Sequence, residues 1–254
     1  MPSKVPFQIK ICGITSVDDA FMAADSGSDA IGLNFYQQSR RSVTLDQANT
    51  IIKALHRHSV SSAHETAKLD AILSRERLKR VGVFVNHTMG EVVTTASRLK
   101  LDGVQLHGNE SISFVKKLVD VLSRREKQPF IVRAIRACNE PNELARVAAE
   151  IQRWASIGVD AVLIDAAVPG EYGGTGKTVD WNAVSRLNDD SPIPIVLAGG
   201  LKPNNVQKAI QVSGVQAVDV ASGVEISPGV KSHELVDEFV QHCQFDGNPN
   251  MATH

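Results

Sequence analysis

The chain has 254 residues, a formal net charge of −1, 43% hydrophobic residues and 22% charged ones. A near-neutral chain lacks the broad basic surface that binds nucleic acid, and no apolar run approaches the ~20 residues that span a bilayer, so neither nucleic acid nor membrane is an expected partner. The length suits one α/β barrel or two small domains.

Residues 1–6 hold no apolar core of a secretory signal. The three cysteines, Cys12, Cys138 and Cys243, are widely spaced and form no C-x-x-C. This argues against a disulfide framework or a zinc site and places the chain in a reducing compartment, the cytoplasm.

Taken in order, residues 7–12 alternate apolar and polar side chains and read as a first strand. Ser16 is a plausible N-cap for a helix to Ser26, with Gly27 as its stop. A second strand covers 29–35. A polar loop with Ser39, Arg40 and Arg41 follows, and Thr44 starts a helix to about His58. Residues 59–78 are polar and read as an insertion, helical in part. The third strand is 79–85 and its helix 88–99. The fourth strand is 102–106, ending at His107-Gly108, with a helix over 111–123. The fifth strand is 130–135, with a helix over 141–156.

Residues 159–165 form the sixth strand, an apolar run that ends in Asp165. The stretch Gly173-Gly174-Thr175-Gly176-Lys177 and a helix over 181–187 follow. The seventh strand is 193–198, ending at Gly199-Gly200, and Pro203 suits the first turn of the next helix. The eighth strand is 216–220, followed by Ser222-Gly223, and a last helix covers 232–242. Residues 244–254 read as a frayed tail. Eight strands alternating with eight helices predict a single-domain (β/α)₈ barrel over 1–243. The alternative, an open doubly wound sheet, usually carries G-x-G-x-x-G after its first strand, and here that position reads Cys-Gly-Ile-Thr.

A barrel of this kind keeps its chemistry at the C-terminal ends of the strands. That shortens the candidates to Cys12, Asn34 with Arg40 and Arg41, Asn86, His107, Arg133, Arg136, Asp165 and the glycine-rich ends after strands 6, 7 and 8. The segment ending in Gly176-Lys177-Thr178 is no Walker loop, because residue 171 is Glu171 and not glycine. Glycine loops before helices can still turn backbone N–H groups onto an anion. One Gly-Gly is usually only a turn, but three neighbouring barrel loops together point to a phosphate.

A lone cysteine is usually a small buried hydrophobe, yet Cys12 ends a strand just before Gly13. As a base it must be a thiolate, and with an unperturbed pKa of ~8.5 only a small share is ionised at pH 7. Lys10, on the same strand face, is a cation that would raise that share. A carboxyl is ordinarily ionised at pH 7. A donor role for Asp165 therefore requires burial or a nearby negative charge, such as a substrate phosphate. The plainer reading is a structural carboxylate holding the next loop. His107 has no second His or Cys at metal spacing, so it reads as a packed, hydrogen-bonded histidine and no metal is expected. Arg40 and Arg41 are either solvated charges or a clamp for a carboxylate. Asp219 reads as a satisfied polar group inside the barrel.

The motif Lys10-Ile11-Cys12-Gly13-Ile14-Thr15 resembles the opening of the phosphoribosylanthranilate isomerase family of tryptophan biosynthesis. Further segments resemble that family in the same order. They include Ser39-Arg40-Arg41, Val81 to Asn86, Val104-Gln105-Leu106-His107-Gly108, Gly173 to Thr178, Leu197 to Leu201, and Ser222-Gly223-Val224-Glu225. The resemblance covers residues 10–239. It implies a (β/α)₈ barrel with neither cofactor nor metal, acting on a small phosphorylated substrate by an Amadori rearrangement. It also implies that Asp165 is the general acid and Cys12 the general base. Arg41 would hold the anthranilate carboxylate, and His107 would belong to the substrate site. Gly174, Gly176, Gly199, Gly200, Ser222 and Gly223 would cradle the phosphate. Three features depart from the family pattern: one extra residue between Asp165 and Gly173, Ala221 where serine is frequent, and the 59–78 insertion. A barrel that only binds a sugar phosphate is the alternative, and it predicts that Cys12 or Asp165 would be missing. The expected assembly is a monomer or a homodimer.

Overall fold

The computed structural model describes residues 5–61, 78–137, 143–166 and 179–243. Eight parallel strands close into a barrel in chain order. They are β1 (Ile9–Cys12), β2 (Ala30–Asn34), β3 (Lys79–Phe84), β4 (Gly103–Leu106), β5 (Phe130–Ala137), β6 (Ala161–Ala166), β7 (Ile195–Leu197) and β8 (Val218–Val220). The ring closes where β8 returns to β1, with Ile9 opposite Val218, Lys10 opposite Asp219 and Ile11 opposite Val220.

The described helices are α1 (Val17–Asp25), α2 (Leu45–Ser61), α3 (Met89–Arg98), α4 (Ile112–Ser123), α5 (Glu143–Ser156), α6 (Trp181–Asp189), α7 (Pro203–Ser213) and α8 (His233–His242). Their starts follow local chemistry. Ser16 accepts the Asp19 N–H, Ser111 that of Phe114, and Asp180 that of Asn182, while Thr88 and Glu91 cap each other reciprocally. Each such cap satisfies a backbone donor that the first helical turn leaves open.

Period-two alternation divides the strand side chains between two cores. Val132, Ala134, Ala161, Leu163, Val196 and Ala198 belong to one apolar cluster, inside the barrel. Ile131, Val162, Ile164 and Leu197 join the larger cluster that packs the helices onto the barrel. Strands buried on both faces explain the near-continuous Val, Ile and Leu runs of the sequence.

Two differences from the sequence reading have physical causes. Strand β7 begins only at Ile195, because Pro192 and Pro194 carry no N–H for a ladder. After β8 the chain forms a 3₁₀ turn (Ser222–Val224) and then an antiparallel hairpin, β9 (Glu225–Ser227) with β10 (Val230–Lys231). Its Pro228-Gly229 tip, with Gly229 at φ +87°, is a turn signal that stood in the sequence. Most of the 59–78 insertion, the Gly173 to Thr178 stretch and the 244–254 tail lie outside the described residues. No described helix is long and apolar enough to cross a membrane.

Candidate active site

A pocket opens at the C-terminal ends of the strands. Cys12, Arg41, His107, Asp165, Gly199, Gly200, Ser222 and Gly223 all line it. These are all the expected site residues except Gly174 and Gly176, which lie outside the described residues. Cys12 and Asp165 come from β1 and β6, three strands apart around the ring. Among the described residues no three His, Cys, Asp or Glu side chains gather as metal ligands.

Cys12 ends β1 opposite Gly32 of β2. A Cβ built on Gly32 would stand 2.6 Å from the Cys12 sulfur, so the bare glycine makes the room the thiol occupies. Burial pushes the Cys12 thiol up from its ordinary pKa, and the Lys10 and Lys231 ammonium groups pull it part of the way back. Lys10 is itself fully buried and gives a 2.7 Å bond to Asp219 across the β1–β8 seam. Asp219 is thus a paired group, and its charge partly offsets what Lys10 does for the thiolate.

Asp165 is buried at the end of β6. Its Oδ2 lies 3.3 Å from His107 Nε2, in contact but not aligned as a hydrogen bond. Gln105 Nε2 lies 3.1 Å from the other ring nitrogen, Nδ1. Gln105 and His107 are two residues apart on one strand, so both side chains reach the same face. That spacing was the signal for Gln105, hidden in the sequence inside the apolar run of β4.

Arg41 is fixed from the far end of the chain. Its Nε and Nη2 donate to Glu225 at 2.8 and 2.7 Å, a bidentate pair. A guanidinium carries five N–H groups, so three remain for another acceptor. The Glu225 bond raises the Arg41 pKa further. Burial works against charge on Glu225, but Arg41 and Lys231 together hold its carboxyl below the usual range. Glu225 and Lys231 were not among the sequence candidates.

The glycine ends after β7 and β8 have conformations that require glycine. Gly199 and Gly200 have φ of +83° and +64°, the left-handed region that disfavours other residues. Asn205, in the first turn of α7, donates to the Gly200 carbonyl at 3.0 Å. The loop therefore leads straight into a helix N-terminus, whose dipole favours an anion. A Cβ on Gly223 would fall 1.8 Å from the Leu201 carbonyl oxygen, so the β7 and β8 loops touch backbone to backbone.

Other strand-end candidates serve the scaffold. Arg133 donates to the Leu106 and Gly108 carbonyls and to Glu110 Oε2 at 2.9, 3.0 and 2.9 Å, with its guanidinium 5.1 Å from the Trp154 ring of α5. Asn86, at φ +54°, accepts the Asn109 N–H, and Arg136 donates to the Asn109 side chain. Arg40 is exposed. None of these four lines the pocket.

Residues 55–242 match the family model described as N-(5′-phosphoribosyl)anthranilate (PRA) isomerase. The N-(5′-phosphoribosyl)anthranilate isomerase of Thermotoga neapolitana is 36% identical over 237 residues, covering 93% of this chain and 98% of that protein. That of Azotobacter vinelandii is 38% identical over 239 residues, covering 92% and 96%. The crystal structure of phosphoribosyl anthranilate isomerase from Thermotoga maritima matches with a TM-score of 0.72 at 33% identity, covering 93% of this chain and 98% of that one. A phosphoribosyl anthranilate isomerase in complex with reduced 1-(o-carboxyphenylamino)-1-deoxyribulose 5-phosphate matches with a TM-score of 0.69 at 29% identity, with the same coverage.

Proposed function

The chain belongs to the N-(5′-phosphoribosyl)anthranilate isomerase family, and we propose that its pocket divides the family's reaction between Asp165 as acid and Cys12 as base. The protein is an isomerase of tryptophan biosynthesis. It converts N-(5′-phosphoribosyl)anthranilate to 1-(2-carboxyphenylamino)-1-deoxyribulose 5-phosphate.

The rearrangement needs two proton transfers on opposite sides of a small sugar. A proton from Asp165 goes to the ring oxygen, the bond from that oxygen to C1 breaks, and the nitrogen lone pair forms a C1=N iminium. The Cys12 thiolate then removes the C2 proton, and the C–H electron pair becomes a C1=C2 double bond as the nitrogen regains its lone pair. Loss of the 2-hydroxyl proton and protonation at C1 give the ketone. Placed acids and bases of this kind each contribute about 10²–10⁴-fold.

The substrate's two anionic ends fit the remaining groups. The three N–H groups of Arg41 not used by Glu225 suit the anthranilate carboxylate. The Gly199-Gly200 and Ser222-Gly223 loops suit the phosphate, with the α7 N-terminus behind them. The Thermotoga maritima isomerase is described as dimeric. For this chain the reading serves a monomer or a homodimer alike, since one chain supplies every residue it uses.

The observation that carries this division of labour is that one pocket holds both Cys12 and Asp165 beside the two glycine loops. The test is the loss of anthranilate fluorescence as purified protein consumes the substrate, followed in the wild type and in the Cys12→Ser and Asp165→Asn variants. Loss in the wild type with sharply slower loss in both variants is expected. An undiminished rate in either variant would remove that residue from its role.

A further inference from the structure

The hairpin after β8 places one charged residue of each strand on its inner side. Glu225 and Lys231 face each other in register, and both are buried at their side chains. Their neighbours Ile226 and Val230 are the exposed large hydrophobics of the described residues. The charged pair therefore points into the barrel mouth, and the apolar pair points out.

Lys231 Nζ donates to Glu225 Oε1 at 2.8 Å and to the Ala221 carbonyl at 3.0 Å. Glu225 in turn holds Arg41 through both of its oxygens. Ala221 is the residue from which the Ser222-Gly223 loop departs, and all three line the pocket. The hairpin tip is tied down as well, with Thr15 Oγ1 donating to the Gly229 carbonyl at 2.6 Å. One ammonium group thus joins the arginine, through Glu225, to the start of the Ser222-Gly223 loop.

Buried ion pairs add little net stability over apolar residues of equal size, because desolvation offsets the attraction. In this hairpin the pair shares its bonds with Ala221 and Arg41, which ties their orientations together. Burial pulls the Lys231 pKa down, and Glu225 restores part of it, so the ammonium depends on the partner it holds.

We propose that Lys231 is a positioning residue for both anionic ends of the substrate, aiming Arg41 through Glu225 and fixing the Ser222-Gly223 loop through the Ala221 carbonyl. This rests on the reading that Arg41 takes the anthranilate carboxylate and the glycine loops take the phosphate. Neither Glu225 nor Lys231 needs to touch the reacting atoms.

The test uses three ligands: reduced 1-(o-carboxyphenylamino)-1-deoxyribulose 5-phosphate, its analogue without the ring carboxylate, and its analogue without the phosphate. Dissociation constants are measured by calorimetry for the wild type, Arg41→Met, Glu225→Gln and Lys231→Met. Glu225→Gln is expected to remove about tenfold or more of the affinity that the carboxylate confers, the usual worth of an ionic hydrogen bond, and to leave the phosphate's share intact. Lys231→Met is expected to lower both shares by about tenfold. If Arg41→Met weakens all three ligands in parallel, the assignment of Arg41 to the carboxylate fails. If Arg41→Met is selective while Glu225→Gln and Lys231→Met act on all three ligands alike, or on none, the positioning proposal fails alone. Where Lys231→Met does not fold, Lys231→Gln, which keeps a donor for Ala221 without the charge, is expected to remove only the carboxylate's share. A parallel loss in Lys231→Gln or in the near-isosteric Glu225→Gln overturns the proposal.

Discussion

His107 Nε2 faces Asp165 Oδ2 at 3.3 Å while Gln105 Nε2 stands 3.1 Å from His107 Nδ1. Gln105 stands two residues before His107, so both side chains reach the same face of the barrel mouth. The ring is thus held on its Nδ1 side, and its Nε2 edge lies against the Asp165 carboxyl without the alignment of a hydrogen bond.

Asp165→Asn keeps the size of the side chain and its contact with His107 but cannot deliver a proton. Turnover is expected to fall by about 10²–10⁴-fold, with the melting temperature close to that of the wild type. Steady-state fluorescence and a thermal melt check both halves. Near-normal turnover would assign the acid elsewhere.

The pH dependence of kcat/KM should carry the signature of Cys12. A base at Cys12 would act as a thiolate, and burial raises the pKa of this thiol above the ordinary value despite Lys10 and Lys231. Below that pKa the active fraction grows tenfold for each pH unit. The rate constant is therefore expected to climb with pH and to level off only above the ~8.5 of a free thiol. A profile that is flat from neutral pH upward would show that the thiolate is not the limiting form.

Gly32→Ala tests the room made for the thiol. The added methyl would lie 2.6 Å from the Cys12 sulfur and 3.0 Å from its Cα, so the sulfur must move. A displacement of about 1 Å at a reacting group costs roughly 10²-fold, and turnover is expected to fall by that order. The substrate's dissociation constant should change far less, because the methyl's three nearest neighbours are all atoms of Cys12. Equal losses in binding and turnover would instead indicate a general collapse of the pocket.

The barrel was legible because its signals are local. Apolar runs ended by His107-Gly108 or Gly199-Gly200 mark strands and turns, Ser16, Thr88 and Ser111 mark helix starts, and Gly27 marks a helix stop. Cys12, His107 and Asp165 were legible by position, since the end of a barrel strand faces the pocket whatever the rest of the sequence does. Glu225 was not legible as the partner of Arg41, because the two lie 184 residues apart and meet only when β8 closes onto β1. Lys231 lies in a stretch before the last helix to which no element was assigned, although the Pro228-Gly229 turn marks a hairpin. Gln105 was masked by the apolar residues on either side of it.

Glu110 and Arg133 offer a contrast outside the pocket. Their bond is 2.9 Å long, with both side chains buried. Glu110 also accepts the Asn86 and Gly108 N–H groups at 2.8 and 3.0 Å, joining the ends of β3 and β4. In Glu110→Gln the carboxylate charge is gone, and the Arg133 guanidinium remains buried against Trp154 with the Leu106 and Gly108 carbonyls but without its ion-pair partner. Breaking one side of a buried pair costs about 3–5 kcal/mol. For a chain of this size that corresponds to a melting temperature lower by roughly 6–20 °C. Since neither residue lines the pocket, kcat/KM of the folded variant at low temperature is expected to change much less than in Asp165→Asn. Thermal melts beside assays well below the melting temperature separate the two quantities. A large loss of kcat/KM with an unchanged melting temperature would move this pair from the scaffold into the catalytic machinery.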